Sequence, residues 1–222
     1  MEQAAALESA LANTTRLVQG IDADQWDQAT PCAKWNVREL VTHTAGVMAN
    51  FTNGAAGKPP VGDPLEYDLG ADPGATMAEL SATNVAAWRN RGELESVISL
   101  GENEFPGMVG ISINMLDAYV HGWDIAQATG QQAMLDADLC AGLLEFSRQA
   151  VPEAPREGDN FHPVVATGDG ASAQDQLLAY LGRQPCSAPP ATPTPADGRR
   201  EADRRRRLRA ELLTSRYSSG QR

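Results

Sequence analysis

Lysine is almost missing from this 222-residue chain, which has Lys34 and Lys58 and otherwise relies on arginine for positive charge. Cysteine is scarce and odd in number. Cys32, Cys140 and Cys186 are widely spaced, so neither a disulfide framework nor a Cys-type zinc site is indicated, and a reducing cytoplasm is the expected setting. No window approaches the roughly 18 consecutive apolar residues of a membrane-spanning helix. The opening MEQAAALESALAN has no basic region ahead of an apolar run, so neither export nor membrane insertion is expected. Strand-like alternation is rare and no internal repeat is visible. Positive charge is also thin where it would matter for nucleic acid. Residues 1–185 carry 9 Lys+Arg against 25 Asp+Glu, net −16, so this body is a poor match for a phosphate backbone. Residues 186–222 carry 9 against 4, net +5.

What the chain has in quantity is helical periodicity. Leu7, Leu11 and Leu17 recur in helical phase over 2–18, with Gly20 as a stop. Residues 21–35 contain Thr30 and Pro31 and read as a loop, with Trp26 and Trp35 packing under the helices. Asn36 followed three residues later by Glu39 has the form of a capping box. The second helix that it opens carries Leu40, His43, Val47 and Phe51 on one inward stripe and ends near Gly54. An irregular connection follows, then a third helix over 75–90 with Met77, Leu80, Val85 and Trp88. Residues 92–107 suggest a short extended excursion. A helix over 136–151, capped by Asp136 or Asp138, and a last helical turn over 174–181 complete the body.

The chain is organised around residues 108–130, MVGISINMLDAYVHGWDIAQATG, whose Ile113, Leu116, Val120 and Ile125 predict an amphipathic helix. Asp117 and His121 stand four apart and share a face, and Asp124 is three further on. That face is contiguous with the Leu116–Val120 stripe. A carboxylate and an imidazole pointed inward need a partner, because unpaired burial is costly. One divalent cation at about 2.0–2.2 Å from each would satisfy both. His43 lies independently within the inward stripe of another helix. Cys32 and Cys140 read as small buried hydrophobes, Trp35, Trp88 and Trp123 as core, and His162 as a structural or exposed loop residue.

Helices joined by loops predict an all-α antiparallel four-helix bundle over 1–184. From 185 the composition shifts to a Pro/Ala/Thr linker, CSAPPATPTPADG, and then an Arg-rich run, which together read as a disordered tail over 185–222. A nucleic-acid arm, a membrane arm and a shifted-frame extension all fit that tail.

The segments TPCAKWNVRELVTHTAGV and DAYVHGWDIAQATG together resemble the DinB-like metal-binding bundles, in the branch related to mycothiol-dependent maleylpyruvate isomerase. The resemblance covers roughly residues 5–184. It implies a metal held by His43, Asp117 and His121, with zinc favoured and nickel or iron as alternatives, and a further acidic residue at Asp124. The isomerase carries Glu where Asp117 stands, and Asp is a methylene shorter. It also has a separate C-terminal domain that supplies a basic active-site residue, for which this sequence shows no counterpart.

Two imidazoles and one carboxylate leave at least one coordination position open, the pattern of a catalytic zinc site, while the same ligand types also serve non-haem iron. An open metal lowers the pKa of a bound water or thiol. Asp124 would orient a ligand imidazole or accept a proton. Three function classes follow: an enzyme activating a low-molecular-weight thiol such as mycothiol against an electrophilic substrate, a metal-binding module or sensor without turnover, and an interaction bundle with a vestigial site. The oligomeric state is open, a dimer included.

Overall fold

The computed structural model describes residues 3–133, 136–151, 156 and 161–185, and among these the chain forms six helices and one hairpin. The first helix, α1 (Gln3–Gln19), buries Leu7, Leu11 and Leu17 completely, each contributing about 1.5–3 kcal/mol of apolar burial. The loop that follows ends at Asn36, which caps α2 (Val37–Ala55) reciprocally: the Glu39 N–H donates to Asn36 Oδ1 and the Asn36 N–H to Glu39 Oε2, both at 2.9 Å. A short 3-10 turn at Pro64–Glu66 interrupts the next connection. Asp72 then caps α3 (Pro73–Arg91), whose first residue is proline, where a missing N–H costs nothing. The expected extended excursion is an antiparallel pair, β1 (Val97–Leu100) with β2 (Asn103–Pro106), in the register Ile98↔Phe105.

The hairpin hands the chain to α4 (Gly107–Thr129), which is not the one-sided amphipathic helix the sequence predicts. Ile111, Met115, Ala118, Tyr119, Gly122 and Ala126 are buried on other sides of the helix, so α4 is a core helix enclosed nearly all round. It packs against α1 and α2, and both of those pack against α3, closing the four-helix ring. Thr14 Oγ1 donates to the Ala118 carbonyl at 2.7 Å, and Asn114 Nδ2 donates to Asn84 Oδ1 at 2.8 Å. Asn84 in turn donates to the Met48 carbonyl, so a buried polar chain links α4, α3 and α2.

Beyond the ring, α5 (Ala137–Ala150), capped by Asp136, packs on α6 (Ala173–Tyr180). The all-α bundle is therefore as expected. Among the described residues no helix is long and apolar enough to cross a membrane. The linker and Arg-rich tail lie, apart from Pro185, outside the described residues.

Candidate functional site

The site is built where α2, α4, the loop before α2 and the segment after α6 meet. In the loop, Thr30 Oγ1 donates to the Trp35 carbonyl at 2.7 Å and accepts from the Cys32 N–H, while the Trp35 N–H returns to the Cys32 carbonyl. This tight turn presents Cys32 and Trp35 inward. Trp35 lies over His43, with ring centroids 4.4 Å apart, and meets His121 edge-on at 5.9 Å.

The three residues expected as metal ligands come together. His43 Nε2 on α2 is 3.4 Å, and His121 Nε2 on α4 is 3.5 Å, from Asp117 Oδ1. Their side chains keep 12–19% of their surface, so the face that looked inward opens onto a cavity rather than onto packed core. Asp124 is completely buried behind them, its Oδ2 3.1 Å from His121 Nδ1. An ionised Asp124 can only accept, so Nδ1 carries the proton and Nε2 faces Asp117 and His43.

Asp124 Oδ2 also accepts from the Cys32 thiol at 3.1 Å and from Arg183 Nη2 at 2.9 Å, and Arg183 Nε reaches Oδ1 at 3.3 Å. Two groups of potential ligands thus share His121. One is His43, Asp117 and His121; the other is Cys32, His121 and Asp124. In the second group the cation's place is already filled by the Arg183 guanidinium, which also lies 3.5 Å from Cys32 Sγ. The first group has two imidazoles and a carboxylate converging on one another on the cavity side, and these are the residues that could hold a metal ion.

The cavity measures about 690 Å³. Ile113, Leu116 and Val120 of α4 form an apolar wall beside Asp117 and His121, and exposed Lys34, His162 and Gln184 stand at its mouth. That volume admits a small organic ligand. In the metal-free protein, burial disfavours a charged imidazole, yet the Asp117 and Asp124 carboxylates and the Cys32 sulfur push His121 up to about 10. Burial likewise raises Asp124, and the hydrogen bond from His121 together with the Arg183 guanidinium outweighs it, holding the carboxyl at about 2.

Cys32 is a correction to the sequence reading: its sulfur belongs to the site, whereas Cys140 is fully buried against Tyr119 as expected. Trp35 is likewise a cavity residue, while Trp88 and Trp123 are core. His162 is an exposed loop residue at the cavity mouth. Arg183, from the segment after α6, is a buried basic residue of this site that the sequence reading did not place there.

Over residues 7–126, more than half of the chain, the sequence matches the model of the mycothiol maleylpyruvate isomerase N-terminal domain. The chain belongs to this family. Two proteins of Mycobacterium tuberculosis, both described as uncharacterized, one from strain CDC 1551 / Oshkosh and one from strain ATCC 25618 / H37Rv, are each 31% identical to it over 170 residues, covering 75% of this chain and 90% of the relative. No solved structure matches. Within the mycothiol maleylpyruvate isomerase match lie Cys32, Trp35, His43, Asp117, His121 and Asp124, whereas His162 and Arg183 lie beyond it.

Proposed function

We propose that this protein binds one divalent metal ion through His43 Nε2, His121 Nε2 and Asp117 Oδ1, and uses it with a low-molecular-weight thiol, mycothiol by family, in transfer or isomerisation of an electrophilic substrate. One observation carries the metal reading. Ligands about 2.0–2.2 Å from one ion at tetrahedral angles stand roughly 3.3–3.6 Å apart. The two nitrogens lie 3.4 and 3.5 Å from the shared oxygen, longer than a good N–H···O hydrogen bond and matched to that edge. Zinc suits the donor set, with nickel and iron as alternatives.

A bound ion would supply a Lewis acid that lowers the pKa of a thiol or water in its open position. The chain's own residues do the rest. Asp124 fixes the His121 tautomer, Trp35 braces the His43 ring, and the Ile113, Leu116 and Val120 wall keeps water from one side of the cavity. Cys32 and Cys140 are free thiols, in keeping with a cytoplasmic setting. The partners are small molecules, a thiol and an electrophile.

The test mixes metal-loaded protein with mycothiol and an electrophile such as maleylpyruvate or monochlorobimane. Electrophile consumption above the metal-free control supports the enzyme. Metal retention with no consumption and no thiol binding would favour the second reading, a metal-binding module without turnover.

A further inference from the structure

Arg183 is more than nine-tenths buried, and its guanidinium takes both oxygens of Asp124, a carboxylate with no exposed surface. An unpaired charge at that depth is strongly unfavourable. Without Arg183 the carboxylate would lose the two bonds that hold its oxygens in place and could turn away from His121, which frees the imidazole to rotate. Arg183 is placed with little freedom of its own. At the end of α6 the Gly182 N–H donates to the Ala179 carbonyl at 3.0 Å and the Arg183 N–H to the Leu178 carbonyl at 2.9 Å, the paired bonds of a Schellman termination. Gly182 has φ +80°, and a Cβ there would come within 2.5 Å of the His162 carbonyl oxygen, so only glycine makes this turn comfortably. Arg183 Nη1 adds a bond to the Leu181 carbonyl at 3.2 Å.

We propose that Arg183 is a positioning residue: delivered by the Gly182 turn, it anchors the Asp124 carboxylate, which anchors the His121 ring that presents Nε2 toward His43 and Asp117. The inference rests on the metal reading above. It makes a segment outside the 7–126 family match part of the site's support. Arg183 touches no reacting atom in this role, so its effect appears in how tightly the site holds an ion.

The test measures Zn2+ affinity of the full chain by competition with a chromophoric chelator, with helical content followed by circular dichroism. Arg183→Met should bind Zn2+ roughly 10–100-fold more weakly than wild type, the usual cost of losing an outer support of a ligating histidine. Arg183→Lys, which keeps the charge, should recover part of that loss. Gly182→Ala should weaken binding in the same direction without touching the ion pair's chemistry. Arg89→Met, which removes the exposed Arg89–Glu8 pair, should change nothing. If Arg183 acts through Asp124, the loss caused by Arg183→Met should largely vanish in an Asp124→Asn background. Wild-type affinity in a folded Arg183→Met protein, or full additivity with Asp124→Asn, overturns the inference while leaving the metal site standing. Failure of the wild type to bind Zn2+ overturns the metal reading and this inference with it. Should Arg183→Met not fold, the Arg183→Lys and Gly182→Ala affinities decide: both equal to wild type overturns the inference, and both weakened supports it.

Discussion

His121 Nδ1 lies 3.1 Å from Asp124 Oδ2, and this single contact turns the ring's other nitrogen toward Asp117 and His43. Replacing Asp124 by Asn removes the charge and keeps the shape. At saturating Zn2+ the variant should still load, because Asp124 is behind the ligands, but the rate of any thiol transfer should fall roughly 10–100-fold. Metal content and initial rate on the same preparation check this, and an unchanged rate would remove Asp124 from the chemistry.

The Asp124 carboxyl, held at about 2 against an ordinary 3.8, also makes a statement about acid stability. A depressed carboxyl stabilises the fold above its unfolded pKa, and that contribution is lost as pH falls through the folded value. The metal-free protein should therefore lose ~2 kcal/mol through this group between about pH 4 and pH 2. Urea titrations across that window should show a steeper pH dependence for wild type than for Asp124→Asn.

Trp35 sits 4.4 Å from His43, whereas Trp88 and Trp123 are buried in the core. Titration with Co2+ or Ni2+ should quench tryptophan fluorescence in proportion to site occupancy, and Trp35→Phe should remove most of the response. Equal quenching in the variant would place the bound ion elsewhere.

Much of this was legible from sequence because it is local. The Asn36–Glu39 cap, the Asp136 cap and the four-residue spacing of Asp117 and His121 are each contained within one helical turn, where pattern and structure coincide. Arg183 was not legible. It meets Asp124 across 59 positions and Cys32 across 151, and no local periodicity encodes such a meeting. The Leu181-Gly182 ending of α6 was the available signal for where the chain turns, though not for what it turns toward. Cys32 was misread for a related reason: a thiol next to proline in a loop looks like a filler until the Thr30 turn is seen to aim it at Asp124. The breadth of α4's burial was hidden because the Ile113, Leu116, Val120 and Ile125 stripe dominates the pattern, while Ile111, Met115 and Tyr119, also buried, lie off it and are joined by Gly110, Ala118 and Gly122, too small to stand out.

Deleting residues 186–222 should leave helical content and metal content nearly unchanged, since a Pro-rich linker and an Arg run offer little apolar surface to bury. Circular dichroism and metal analysis of the truncated chain test this. Loss of folding would show that the tail is part of the body, and tail-dependent retention on DNA that collapses as salt rises would assign it a nucleic-acid role instead.

The most direct measurement is the metal content of purified wild type, His43→Ala and His121→Ala after loading with Zn2+ and gel filtration. About one ion per chain in wild type, with most of it gone in each variant and a melting temperature that falls on adding chelator to wild type alone, is the expected result. Wild-type stoichiometry in both histidine variants would contradict the assignment of the site.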